Sequence, residues 1–487
     1  MSPSLRRRPW ITLSLAAVVL AALPQAQATG APPVRSTASS AEPAPFPGVL
    51  GPQNPFVAPH GVGTAHNDSQ SSDATPQTGP GAGPYNTSMV YGPTCPSTVM
   101  DSKGLLVGLC MDGHDKPSIR LMDPKTLAVL ASIPQPATSQ YGVHFYIDPY
   151  DRTVISNGDG HILRVSHRQD SSGQWSLRVD DDWDLSRQVS GHCGAPRCDY
   201  LVSVKPDWAG RIWFSSLEGV VGTLNPRTGA VRTLHLPDGE RVVKAISTSF
   251  RGVALASDYA VYLLNADALG RPRIVWRETY DRADFIKPGK WTEGSGTSPN
   301  FFGPGDDRYL ALMDGGAPRE SVRVYRVDAR AGHRLLCTIP VFADGASSTD
   351  DTFIVAGRSV IAVNTNGYDY FDYTPKPLPG GMTRIDVRKD ESGCDVVWNN
   401  PTSTTTMAKL SMSKGIVYNF ERTVDDAGVP TYSFMAIDAH TGKTLSRTTL
   451  GHHFVYEGLQ LNGMLGPDGS YYQGVLGGMI RVSPATG

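Results

Sequence analysis

An Asp- or Asn-centred turn that returns about every 50 residues constrains this chain more than any other feature. It stands in I-R-L-M-Asp123-P-K-T, V-G-T-L-Asn225-P-R-T-G and M-A-I-Asp438-A-H-T-G, each time between two strand-like runs. Weaker copies centre near Ser166, Asn265, Asp328 and Asp386, and a cut-off copy falls at Ser483. Six steps lead from Asp123 to Asp438, a mean spacing of about 52 residues. A second landmark repeats with it: a tight turn feeding an apolar strand. Asp101–Gly104 precedes L-L-V-G-L-C, Asp207–Gly210 precedes R-I-W-F, Ser413–Gly415 precedes I-V-Y-N-F, and Asp468-Gly469 precedes S-Y-Y-Q-G-V-L. Glycine supplies the positive φ that such turns need. Strands of five to eight residues rich in Val, Ile, Tyr and Trp, repeated at this period, predict four-stranded antiparallel blades.

Eight landmarks over residues 84–487 predict an all-β, eight-bladed propeller, with seven blades as the alternative count. The last unit is one strand short, and Tyr85–Tyr91 is expected to supply it, closing the ring with an N-terminal and a C-terminal strand. Residues 29–83 contrast with this: ten prolines and only two aromatics, Phe46 and Phe56, in a background of Ala, Ser, Thr and Gly. That is the composition of a linker, or of an arm lying on the propeller. A near-neutral net charge of -2 excludes a chain built around nucleic-acid phosphates. The low charged fraction of 18% argues against coiled coils and helical bundles.

The first 28 residues have the form of a secretory signal: Arg6, Arg7 and Arg8, an uncharged stretch from Trp10 to Leu23, and Ala26-Gln27-Ala28 as a cleavage site. The apolar stretch is too short to span a bilayer and no second one follows, so the expectation is a secreted monomer, periplasmic or extracellular, without a membrane span. Six cysteines suit an oxidising compartment. The expected pairs are Cys193–Cys198 around a Gly/Pro turn, Cys95–Cys110 within one hairpin, and Cys337–Cys394 between neighbouring units. Which of the 15 possible pairings forms is not fixed by spacing.

Residues 210–237, G-R-I-W-F-S-S-L-E-G-V-V-G-T-L-N-P-R-T-G-A-V-R-T-L-H-L-P, resemble a blade of the streptogramin-lyase and gluconolactonase-like propellers. The eight-unit length is similar to the quinoprotein-type superfamily of secreted bacterial propellers. The resemblance implies fold rather than function. The chain lacks the adjacent cysteines of quinone-dependent dehydrogenases and any C-x-x-C-H. His452 or His453 with Glu457 does not reproduce the lyase motif.

In a propeller, ligands are expected where the inner strands begin, since several blades converge there. Read blade by blade, the polar residues at those positions are Tyr91, His144, Asp199 with Tyr200, Lys244, Thr297, Asp350 with Asp351, Thr405 with Lys409, and Tyr456 with Glu457. His144, Lys244, Asp350 and Glu457 form the candidate acid/base set, because a His or Lys can take a proton α to a carboxyl and an acid can return one. Tyr200, Thr297, Asn366, Tyr368 and Tyr456 are the candidate ligand contacts, with the aromatic and amide run Asn364–Tyr373 suited to stacking on a sugar. Two carboxylates with Asn366 or Asn462 would offer oxygens to Ca2+. The same residues are equally the kind that hydrogen-bond between blades. The expected function is binding of, or lyase or lactonase chemistry on, a small polar or saccharide-like molecule at the channel. A non-catalytic extracellular scaffold and a quinone-dependent dehydrogenase are the alternatives. Asp180–Asp184 is expected to be solvated, on an outer strand or a loop.

Overall fold

The computed structural model describes residues 42–485 except 60–61, 112–116, 136–141, 190–198, 238, 306, 371 and 373. The repeat period translates directly into eight antiparallel sheets. Their innermost strands are Thr94–Met100, Tyr146–Ile147, Leu201–Pro206, Ser247–Ser249, Asn300–Phe302, Ile354–Ala356, Lys409–Ser411 and Leu461–Leu465, here numbered blades 1 to 8. The turns at Asp123, Asn225, Asp328 and Asp438 fall between the third and fourth strands of their blades. Ser166 lies instead inside the strand His161–Gln169, whose turn comes at residues 170–174. The acidic run Asp180–Asp184 belongs to the outer strand Trp175–Asp184.

Side-chain alternation explains how the blades hold together. In the strand Ile212–Ser216, Ile212 and Phe214 pack toward blade 2, while Trp213 packs toward blade 4. The period of two therefore feeds both neighbouring seams, and middle strands read as continuous apolar runs because both faces are buried. The same arrangement recurs at each seam, ending with Leu106, Met464 and Tyr472 between blades 1 and 8. Tyr85–Tyr91 is the outer strand of blade 8, antiparallel to Gly478–Pro484, so the ring closes as the sequence predicts. Cys95 pairs with Cys110 inside blade 1, and Cys337 pairs with Cys394 across the outer strands of blades 5 and 6. Cys193 and Cys198 lie outside the described residues.

The Pro-rich arm is not a solvated linker. Its residues 42–59 run round the face where the inner strands end, visiting the blades in descending order. Phe46 N–H donates to Met412 O of blade 7 at 2.7 Å. Gly48, at φ +110, lies so close to Gly357 of blade 6 that a Cβ would come within 2.6 Å of its Cα. Asn54 Nδ2 donates to Pro206 O of blade 3 at 2.9 Å. Ala58 N–H donates to Ile147 O of blade 2 at 2.8 Å, and Met100 N–H of blade 1 donates to Val62 O at 3.1 Å.

Residues 63–75 then turn into the channel and climb back through the blades. Gly63 O accepts from Ile147, Ser69 O from Thr248, Gln70 O from Phe301, Ser72 O from Val355, and Asp73 O from Leu410, at 2.7–3.2 Å. Ala74–Thr75 adds a parallel fifth strand to blade 7. The innermost strand of a blade is an edge with N–H groups to satisfy, and the arm's carbonyls satisfy them in turn. The channel is thus filled by the chain's own N-terminal segment.

Candidate functional site

Filling a channel with polar chain requires every buried charge to find a partner. Asp73 of the arm is fully buried, and its carboxylate accepts from Lys409 of blade 7 and from His66 Nδ1 at 3.2 Å. Burial pushes the Asp73 carboxyl up, but Lys409 and His66 outweigh it and hold it below the ordinary carboxylate range. Lys409 also donates to Asn462 Oδ1 at 2.5 Å. Lys205 of blade 3 donates to Ser71 Oγ at 2.6 Å, and burial lowers its ammonium to about 8. His66 is pushed down by burial against the opposing pull of Asp73, so it is neutral at pH 7.

Beside His66 is a cavity of about 80 Å³, lined by residues of the arm and of blades 1, 2, 7 and 8. His66, His144, Ser97 and Gln460 all line it. Each carries a buried polar atom without a hydrogen-bond partner: Nε2, Nδ1, Oγ and Oε1 respectively. The rings of His66 and His144 stack at 5.6 Å. Burial, with His66, Lys244 and Lys205 nearby, pushes His144 well below the ordinary imidazole range. Natively folded chains leave few buried polar atoms unpaired, and four of them belong to residues around this one cavity. At roughly 30 Å³ per water, the space suits a small molecule or the end of a larger one, well short of the ~300 Å³ of common ligand pockets. A larger hollow of about 550 Å³ beside Arg232, Arg271 and Arg273 sits on outer strands, away from the channel.

Across the channel mouth, Lys244 of blade 4 meets Asp350 of blade 6 at 2.7 Å. Tyr370 donates to the same carboxylate at 3.2 Å. The neighbouring Asp351 is 1% exposed and neither of its carboxylate oxygens has a partner. Burial, then the adjacent Asp350, pushes the Asp351 carboxyl well above its ordinary range, so the group holds a proton where a surface aspartate would not. Asp350 is raised as well, against the opposing pull of Lys244. Two aromatics of the run Asn364–Tyr373 lie by this mouth: Tyr368 and Tyr370 pack edge to face at 5.0 Å, and Tyr370 meets Trp291 at 4.8 Å.

The structure therefore brings Lys244 and Asp350 together and sets His144 at the cavity. Glu457 is tied down elsewhere. It accepts from Arg422 at 2.5 Å, from Tyr368 at 2.8 Å and from Tyr432 at 3.3 Å. Thr297 is buried and caps Met313 N–H at 3.0 Å, Asn366 donates to Ser348 Oγ at 3.2 Å, and Tyr456 packs near Tyr432. Tyr200 is half-buried and its carbonyl accepts from Leu217, while Tyr91 is 67% exposed at the end of the closing strand. Of the oxygens counted toward Ca2+, Asn462 Oδ1 accepts from Lys409 and Asp350 Oδ2 accepts from Lys244. Among the described residues no three His, Cys, Asp or Glu side chains are grouped to hold a metal ion.

His66, Asp73, Ser97 and Gln460 were not among the sequence candidates. His66 and Asp73 lie in residues 29–83, whose linker-like composition gave no sign of burial.

No protein-family model matches the chain. An uncharacterized protein of Archaeoglobus fulgidus is 21% identical over 318 residues, or 58% of this chain. The match spans 61% of that relative's length. Saccharomyces cerevisiae Sqt1 is 10% identical with a TM-score of 0.51, covering 83% of this chain and 98% of that one. Streptogramin B lyase is 11% identical with a TM-score of 0.42, covering 82% and 97%. At 10% identity the likeness to Sqt1 is one of fold alone.

Proposed function

We propose that this protein is secreted and binds a small polar, saccharide-like molecule at the blade 1–2–8 side of its plugged channel, with lyase or lactone-opening chemistry there. The carrying observation is the set of four unpartnered polar atoms, on His66, His144, Ser97 and Gln460, around one cavity. His144, Lys244 and Asp350 supply the acid/base groups, and Glu457 positions Tyr368. The signal-like residues 1–28, the two disulfides, and the lack of any described helix long and apolar enough to cross a membrane support export.

The test is thermal unfolding in the presence of monosaccharides, uronic acids and their lactones. A binder should raise the Tm of the wild type and lose that effect in Ser97→Val and Gln460→Leu. If no compound shifts Tm and both variants are simply more stable, the cavity is a packing defect and the reading fails.

A further inference from the structure

The arm supplies more than a plug. His66 Nδ1 faces the Asp73 carboxylate at 3.2 Å, and that carboxylate is held in turn by Lys409. Both His66 and Asp73 are buried, at 2% and 0% exposure. A carboxylate beside one ring nitrogen takes that nitrogen's N–H and leaves the lone pair on the other. In His66 the other nitrogen is Nε2, which has no partner, and the ring lines the cavity. His144, the histidine the sequence favoured, has no carboxylate on either nitrogen among the described contacts, so nothing fixes its tautomer. An imidazole oriented by a buried carboxylate, with its second nitrogen unpartnered and its ring beside a cavity, is the kind of arrangement a general base uses.

We infer that His66 and Asp73 form a catalytic dyad carried by the N-terminal arm, and that it opens a lactone or similar cyclic ester bound in the cavity. This rests on the ligand site proposed above. In the reaction, His66 Nε2 takes a proton from a water as the water oxygen bonds to the carbonyl carbon. The tetrahedral intermediate expels the ring oxygen, breaking the acyl C–O bond, and that oxygen recovers the proton from Nε2. One water is added, and the product is the open hydroxy acid, which releases its own acidic proton to solvent. Asp73 orients the imidazole and stabilises its charged form, and the Lys409 ammonium keeps Asp73 ionised. The charged or titratable groups facing His66 are Asp73, Lys409, Lys205 and His144.

The test uses the full secreted chain with glucono-δ-lactone and δ-valerolactone, followed by acid release with the spontaneous rate subtracted. His66→Gln should lower kcat by about 100-fold or more while moving KM little, as loss of a general base does. Asp73→Asn should lower kcat and shift the acidic limb of the pH profile, whereas a merely structural Asp73 would change stability alone. Because both variants alter the plug, a second readout is made on the wild type: ¹⁵N NMR at pH 7 should show His66 neutral with its proton on Nδ1. A proton on Nε2, turnover retained in His66→Gln, or no turnover of either lactone by the wild type would each overturn the dyad. If wild type binds lactones yet His66→Gln turns them over normally, the dyad alone falls. If wild type binds none, the ligand site falls with it.

Discussion

Two buried acids, Glu457 and Asp351, look alike in the sequence and are opposites in the fold. Glu457 sits where blades 7 and 8 meet and receives Arg422, Tyr368 and Tyr432. Asp351, on blade 6, receives no donor at either oxygen. The first is a fastener: its charge is matched and its hydrogen bonds are made. The second is held at a cost in stability, and such cost persists at places where a protein keeps a group for use. Residue type and position at an inner strand cannot separate these roles; only the number of donors can.

The largest way to break the contrast is at the fastener. Arg422→Leu strands the Glu457 carboxylate in the interior, which should cost about 3–5 kcal/mol in chemical or thermal unfolding. The double replacement Arg422→Leu, Glu457→Leu should recover most of that loss. If the single change is tolerated, Glu457 is not paired in the way described.

The tyrosines above the two acids give a smaller and sharper comparison. Tyr368→Phe removes a hydrogen bond to a charged acceptor and should cost about 2 kcal/mol. Tyr370→Phe should cost less, about 1 kcal/mol, because Lys244 still serves Asp350. Equal costs would show that the two carboxylates are supported alike.

The smallest effect carries a sign. With its carboxyl raised, Asp351 keeps a proton in the folded chain over a pH window in which the unfolded chain has lost it. Wild-type stability therefore falls as pH rises above about 4 through that window. Asp351→Asn cannot ionise, so it should match wild type near pH 3.5 and become more stable by about 1.4 kcal/mol for each unit by which the carboxyl is raised. Unfolding curves at pH 3.5, 5 and 7 check this. A variant that is less stable at pH 7 would mean that Asp351 is ionised and paired.

The blades were legible because their signals are local. Asp123, Asn225 and Asp438 mark turns with their own side chains, and Tyr85–Tyr91 reads as a strand wherever it pairs. The arm was not legible, because hydropathy registers only apolar burial. Ser69, Gln70, Ser71 and Ser72 are buried by hydrogen bonding to the edges of strands remote in sequence, and their composition matches a solvated linker. Lys244 with Asp350 could be guessed from shared position on inner strands. His66 with Asp73 could not, since the partner that gives each its meaning arrives only when the arm threads the ring.

The seam between Tyr85–Tyr91 and Gly478–Pro484 also sets the order of events in the life of the chain. Blade 8 has its outer strand only once these two segments, far apart in the sequence, have met. Before they meet, the chain is an open arc whose free strand ends can pair with another molecule as readily as with their own. Contacts between such distant parts form slowly, so a chain without Gly478–Pro484 would be a candidate for exchange between chains.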